Sequence, residues 1–112
     1  ESAVREDQGY EAVSGLLRDG VAFDGLFCAN DFIALGALRA LDEKDIRVGT
    51  DVRVVGFDGI ATGAYAQPPL TTIEQDYIRA GEMLVEALIA VLKGEQPDVT
   101  PVPVKLLARS TA

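Results

Sequence analysis

Two short polar residues stand where ligand chemistry is possible. Asn30 follows the apolar run Gly25-Leu26-Phe27-Cys28-Ala29, and Asp58 follows Val52-Arg53-Val54-Val55-Gly56-Phe57. Asn offers a donor and an acceptor, Asp two acceptor oxygens. If the two runs are parallel neighbours in an α/β sheet, both side chains project to the rim at the carboxyl ends of the strands, where such sheets bind ligands. The pair suits a neutral polyhydroxylated ligand, whose hydroxyls both give and accept hydrogen bonds. Plainer roles are open to each. Asp31 is the expected cap of a helix beginning at Phe32, Asn30 is open to capping or to ligand contact, and Asp58-Gly59 reads on its own as a turn. Gln75, Asp76 and Tyr77 follow a third short apolar run, Leu70 to Ile73, and so can reach the same rim. A tyrosine ring there packs on the apolar face of a sugar or a purine. Against that, Asp76 is the expected cap of the next helix and Tyr77 fits its first turn.

No other grouping supports catalysis. The chain has no histidine, which removes imidazole bases, Ser-His-Asp and Cys-His pairs and the usual zinc sites. Gly56-Phe57-Asp58-Gly59 lacks the Lys-Ser/Thr of a phosphate loop and is no G-x-G-x-x-G, and C-x-x-C, H-E-x-x-H and G-x-S-x-G do not occur. Asp42, Glu43 and Asp45, with Lys44 among them, read as a solvated helix end rather than an acid/base pair. We therefore expect no catalytic residues, no metal, no cofactor and no enzyme activity. The single cysteine, Cys28, sits in an apolar run and reads as a small buried hydrophobe, consistent with a reducing, cytoplasmic setting.

The elements that must position these residues follow from periodicity. Tyr10, Val13, Leu16 and Leu17 fall three and four apart within Arg5 to Arg18, which predicts a helix stopped by Gly20. Strands are expected at 25–29, 52–57 and 70–73, and Gly63 to Pro69 as a loop. Phe32 to Leu41 is apolar almost all round, so this helix should be covered on two faces. Ile78, Met83 or Leu84, Leu88, Val91 and Leu92 form the stripe of a long helix that Gly94 ends. Pro97, Pro101 and Pro103 mark a loop before an edge-like strand running to Leu107. Alternating helices and strands argue a mostly parallel α/β sheet. A chain that opens on a helix with no strand before it reads as part of a larger protein.

The 112 residues suffice for one ordinary domain, and 48% hydrophobic with 25% charged residues is the balance of a globular one. Leu84 to Leu92, the longest nearly apolar run, is too short to span a bilayer. Ten basic residues against eighteen acidic give a net charge of −8, so this stretch repels a phosphate backbone and an anionic membrane alike.

Phe27-Cys28-Ala29-Asn30-Asp31-Phe32-Ile33-Ala34-Leu35-Gly36-Ala37-Leu38, then Val54-Val55-Gly56-Phe57-Asp58, then Pro68-Pro69-Leu70-Thr71-Thr72-Ile73 with Gln75 resembles the LacI/GalR family of transcriptional regulators. The 28-residue interval from Asn30 to Asp58 fits as well, and Leu106 to Thr111 looks like the family's closing strand. The resemblance implies an incomplete, Rossmann-like, parallel-sheet subdomain of a type I periplasmic-binding-protein-like fold. It implies residues 1–74 as the C-terminal subdomain, 75–105 as a crossover helix and strand docked on the N-terminal subdomain, and 106–112 as a return strand. It further implies a small-molecule effector such as a sugar, held by Asn30 and Asp58 with Gln75 and Tyr77 near the cleft. A homodimer face on the helix carrying Phe32, Leu35 and Leu38 is implied too, one face of that helix meeting the sheet and the other a partner chain. Operator DNA would be bound only through a helix-turn-helix head that this sequence lacks. Val4 falls where some members stack an aromatic ring on a sugar, which valine cannot do. A periplasmic sugar-binding protein of the ribose-binding type shares the fold and the Asn-Asp pair; the Pro-Pro-Leu-Thr-Thr-Ile segment favours the regulator. Without its usual support the 75–105 helix leaves an apolar stripe exposed, so the isolated chain should be weakly stable or self-associated.

Overall fold

The computed structural model describes residues 2–112, with side chains from residue 5 onward, so Val4 lies outside the described side chains. Helix α1 spans Ser2–Arg18, strand β1 Gly25–Phe27, helix α2 Asp31–Asp42, strand β2 Arg53–Asp58, strand β3 Thr71–Gln75, helix α3 Tyr77–Leu92 and strand β4 Val104–Leu107. A 3₁₀ helix, Ala61–Tyr65, lies between β2 and β3 and overlaps the start of the loop expected from Gly63 to Pro69. The sheet order is β1-β2-β3-β4, and the β1–β2 and β2–β3 pairs are parallel. The mixed α/β architecture agrees with the Rossmann-like expectation. The chain divides into two compact units, one running to Glu74 and including Leu106–Ala112, the other Gln75–Lys105.

In the first unit, β2 runs between β1 and β3, and Val54 and Leu70 are fully buried. Val13 of α1, Ala34, Ala37, Leu38, Ala40 and Leu41 of α2, Cys28 and Val52 complete the core. Helix α1 stops as expected, Gly20 taking a left-handed φ of 69° while Val21 N–H donates to the Leu16 carbonyl.

Besides the sheet, α2 has a cover within its own chain. Helix α1 of the same chain packs against it, and does so backbone to backbone. A Cβ on Gly9 would strike the Ile33 carbonyl, and one on Gly36 the Glu6 carbonyl and the Tyr10 amide. Two glycines inside helices cost propensity; here they let the helix axes approach closely. Leu38 is 5% exposed and belongs to this core, whereas Phe32 and Leu35 are half-buried.

In the second unit, Asp76 caps α3, its Oδ1 accepting from the Arg79 N–H at 2.9 Å, and the stop at Gly94 holds. No residue of α3 is buried, and Ile78, Leu84, Leu88 and Leu92 are all exposed. In the loop that follows, Asp98 Oδ1 accepts from the Thr100 N–H and hydroxyl at 2.9 and 2.6 Å, an Asx-type turn among the prolines. No described helix is long and apolar enough to cross a membrane.

Candidate functional site

Phe27 of β1 pairs with Val55 of β2. Asn30 and Asp58 each lie three residues beyond that pair, so both leave the same carboxyl-end rim of the sheet. Asn30 is extended, with φ −156° and ψ 170°, and caps α2: its Oδ1 accepts from the Ile33 N–H at 2.9 Å. The cap and a ligand contact are compatible. The carbonyl oxygen is committed to the helix, and the NH₂ is the group a ligand can accept from.

The expected cap, Asp31, does something else. It is the first residue of α2 and fully buried. Its Oδ1 accepts from the Thr72 hydroxyl at 2.5 Å and its Oδ2 from the Ile60 N–H at 2.8 Å. The carboxyl group lies against β2, where a Cβ on Gly56 would collide with Oδ1. The neighbouring Cys28 is buried, and burial, reinforced by the nearby Asp31, pushes its thiol up to about 11. That is an inert thiol at neutral pH, as the small-hydrophobe reading expects.

Asp58 closes β2, pairing with Glu74 of β3, and has a φ of 113°. A non-glycine residue there is uncommon, and such positions cluster at functional sites. Gly59 follows at φ 74°, packed so closely on Glu74 that no side chain fits. Asp58 is thus the last strand residue rather than part of a turn, and the chain leaves the strand there in an unusual conformation at the rim.

Gln75 ends β3 and Tyr77 opens α3; both belong to the second unit, where Tyr77 is 57% exposed. Asp42, Glu43 and Asp45 are exposed. Glu43 accepts from the Tyr10 hydroxyl at 2.6 Å and pairs with Arg39, whose guanidinium lies over the Tyr10 ring; the Tyr10 hydrogen bond first, then Arg39, holds its carboxyl below the usual range. This is a surface network, as expected. No group of three or more Cys, Asp or Glu side chains among the described residues could hold a metal. Cavities of about 520 and 610 Å³ are lined by α1, α2 and the segments following α2, and include neither Asn30 nor Asp58.

The sequence does not show the link of Asp31 to Thr72 and Ile60, because Asp31 and Thr72 are 41 positions apart and nothing local marks the pairing. Gly56, placed inside a β-branched run, was the available signal, since glycine weakens a strand unless something approaches closely.

Residues 1–112 match the family described as periplasmic binding protein-like domain. The chain is 42% identical over 109 residues to the HTH-type transcriptional repressor PurR of Haemophilus influenzae (strain PittEE), covering 90% of this chain and 32% of that protein. It is 36% identical over 104 residues to the lactose operon repressor of Escherichia coli (strain K12), covering 92% and 29%. Among solved structures, a lac repressor dimer bound to operator and the anti-inducer ONPF superposes with a TM-score of 0.83 at 35% identity, covering 94% of this chain and 32% of that one. The transcription regulator GntR from Chromobacterium violaceum gives 0.81 at 28%, covering 95% and 40%. The chain thus spans about a third of the length of the curated relatives it matches.

Proposed function

Because the chain belongs to the periplasmic binding protein-like domain family, with regulators of the LacI type as its relatives, we propose that it is the effector-sensing and dimerising part of a LacI/GalR-type transcriptional regulator. The carrying observation is the shared rim of Asn30 and Asp58, each three residues beyond the Phe27–Val55 pair. There the Asn30 NH₂ donates and the Asp58 carboxylate accepts, a pairing that suits a sugar or a related small polar molecule. Gln75 and Tyr77 belong to the same proposal through the family resemblance alone. Relatives that are repressors, rather than transport proteins, favour this reading over a periplasmic sugar-binding protein.

The partners follow. Phe32 and Leu35, half-buried on α2, form part of a homodimer face, while Leu38 serves this chain's own core. Operator DNA is contacted by a helix-turn-helix segment outside these residues, since a net charge of −8 repels phosphate. The protein works in the cytoplasm and catalyses no reaction.

Titration calorimetry of the full-length protein with D-glucose, D-galactose, D-ribose and adenine tests the site. Asn30→Ser keeps a capping oxygen but has no NH₂, so it should leave stability within about 0.5 kcal/mol and lower the affinity of the compound that binds about tenfold. Unchanged affinity in both Asn30→Ser and Asp58→Asn would remove the rim from the binding site.

A further inference from the structure

Asp31 is a buried carboxyl group that none of the described salt bridges includes. Burying such a group is costly unless hydrogen bonds replace water. Its place in the first turn of α2 gives it the favourable end of the helix dipole, but α2 already has its cap in Asn30. What Asp31 holds lies elsewhere. Ile60, whose N–H donates to Oδ2, is the second residue after Asp58. Thr72, whose hydroxyl donates to Oδ1, accepts in turn from the Gly59 N–H at 3.4 Å. One carboxyl group therefore grips both residues that follow Asp58, one directly and one through a hydroxyl. Asp58, just before them, has φ 113°, a conformation that persists in a non-glycine residue only where the surroundings over-determine it. Gly56 leaves the space that Asp31 fills.

We propose that Asp31 is a positioning residue, acting through Ile60 and Thr72 to hold the backbone that follows Asp58 and so to set the Asp58 carboxylate at the rim before ligand arrives. Because Asp31 directly follows Asn30, the two ligand-facing residues are set from one point at the start of α2. The role rests on the ligand-contact reading of Asp58.

The test uses the full-length protein with Asp31→Asn, Thr72→Val and Thr72→Ser. Asn presents an NH₂ to one of the two donors; Val removes the hydroxyl, and Ser restores it. Amide hydrogen exchange should quicken about tenfold at Ile60 in Asp31→Asn and at Gly59 in Thr72→Val, with Val54 and Val55 unchanged and Thr72→Ser close to the parent. Affinity for whichever of D-glucose, D-galactose, D-ribose or adenine binds should fall about tenfold in Asp31→Asn, yet fall little further when Asp58→Asn is already present. Exchange that rises equally through β2, or stays unchanged at Ile60, overturns the proposal. So does an affinity loss of equal size in both backgrounds. If none of the four compounds binds, the sensing reading fails by itself, and the exchange pattern still decides whether Asp31 holds the backbone after Asp58.

Discussion

Thr111 and Val54 are joined by two hydrogen bonds: the Val54 N–H donates to the Thr111 carbonyl at 2.8 Å, and the Thr111 hydroxyl donates to the Val54 carbonyl at 2.7 Å. The same hydroxyl oxygen accepts from the Thr71 N–H at 2.8 Å. A single fully buried threonine thus ties the starts of β2 and β3 together, at the end of the sheet away from Asp58. The chain returning after the second unit is fastened there and closes the first unit.

Thr111→Val keeps the shape and deprives two backbone groups of this partner. A loss of about 2–3 kcal/mol is expected, since leaving buried donors and acceptors unsatisfied costs more than the bond itself contributes. Urea unfolding of the full-length protein should show a lower midpoint at unchanged slope. Thr111→Ser should recover most of the loss, and ligand affinity at the opposite rim should not change. A Val variant as stable as the parent would show that Thr111 merely fills space.

The α1–α2 crossing gives a prediction of sign. Replacing a helical glycine with alanine ordinarily stabilises by about 0.5–1 kcal/mol. Gly81 of α3 has open space where a methyl group would sit, so Gly81→Ala should show that gain. Gly36→Ala should do the reverse. Its methyl group would meet the Glu6 carbonyl and the Tyr10 amide, backbone atoms that cannot move aside without separating the helices. A cost of about 2 kcal/mol or more is expected. Thermal unfolding of the two variants side by side checks this; a stabilised Gly36→Ala would mean that α1 does not press on α2.

Cys28 predicts a change of stability with pH. Its thiol is raised from 9.0 to about 11, by burial first and by Asp31 second. A raised folded-state value means the stability is fully present below about pH 9, and is lost as pH climbs towards 11, because the unfolded chain gives up the proton first. The loss attributable to this thiol should reach about 2 kcal/mol. Cys28→Ala removes the effect, so the stability difference between parent and variant should shrink between pH 8.5 and pH 11. The parent thiol should also resist alkylation at pH 8 until the protein is unfolded. Rapid alkylation of the folded protein would contradict the burial.

The rim was legible in the sequence because strand ends are marked by the arrest of an apolar run, which places Asn30 and Asp58 without knowledge of their partners. The division of labour between Asn30 and Asp31 was not. Both residue types cap helices, and the choice between them was settled by Thr72 and Ile60, 41 and 29 positions away. Similarly, the nearly all-apolar α2 announced two covered faces, but periodicity carries no record of which surface does the covering. Helix α1 supplies one such cover through Gly9 and Gly36, a contact written in missing side chains rather than in hydrophobic ones. The 3₁₀ turn at Ala61–Tyr65 lay inside a stretch with too few breakers and too little periodicity to show it.

Helix α3 carries the last prediction. Within its own unit it buries no residue, and Ile78, Leu84, Leu88 and Leu92 are 79%, 72%, 59% and 78% exposed. Their helical spacing gathers them into one stripe, and a contiguous apolar stripe seeks cover. The 112-residue chain, taken alone, is therefore expected to self-associate at micromolar concentration, with a melting temperature that rises with protein concentration as mass action requires. Leu84→Lys with Leu88→Lys should disrupt this. Each leucine withdrawn from an apolar contact costs about 1.5–3 kcal/mol, so the pair should weaken association by about a hundredfold or more. Sedimentation equilibrium of the two chains provides the measurement. A parent chain that is monomeric across the whole concentration range, with a sharp and concentration-independent melt, would show that α3 needs no cover. If the double variant instead stayed associated, the contact would lie on another surface, with the half-buried Phe32 and Leu35 of α2 the first place to look.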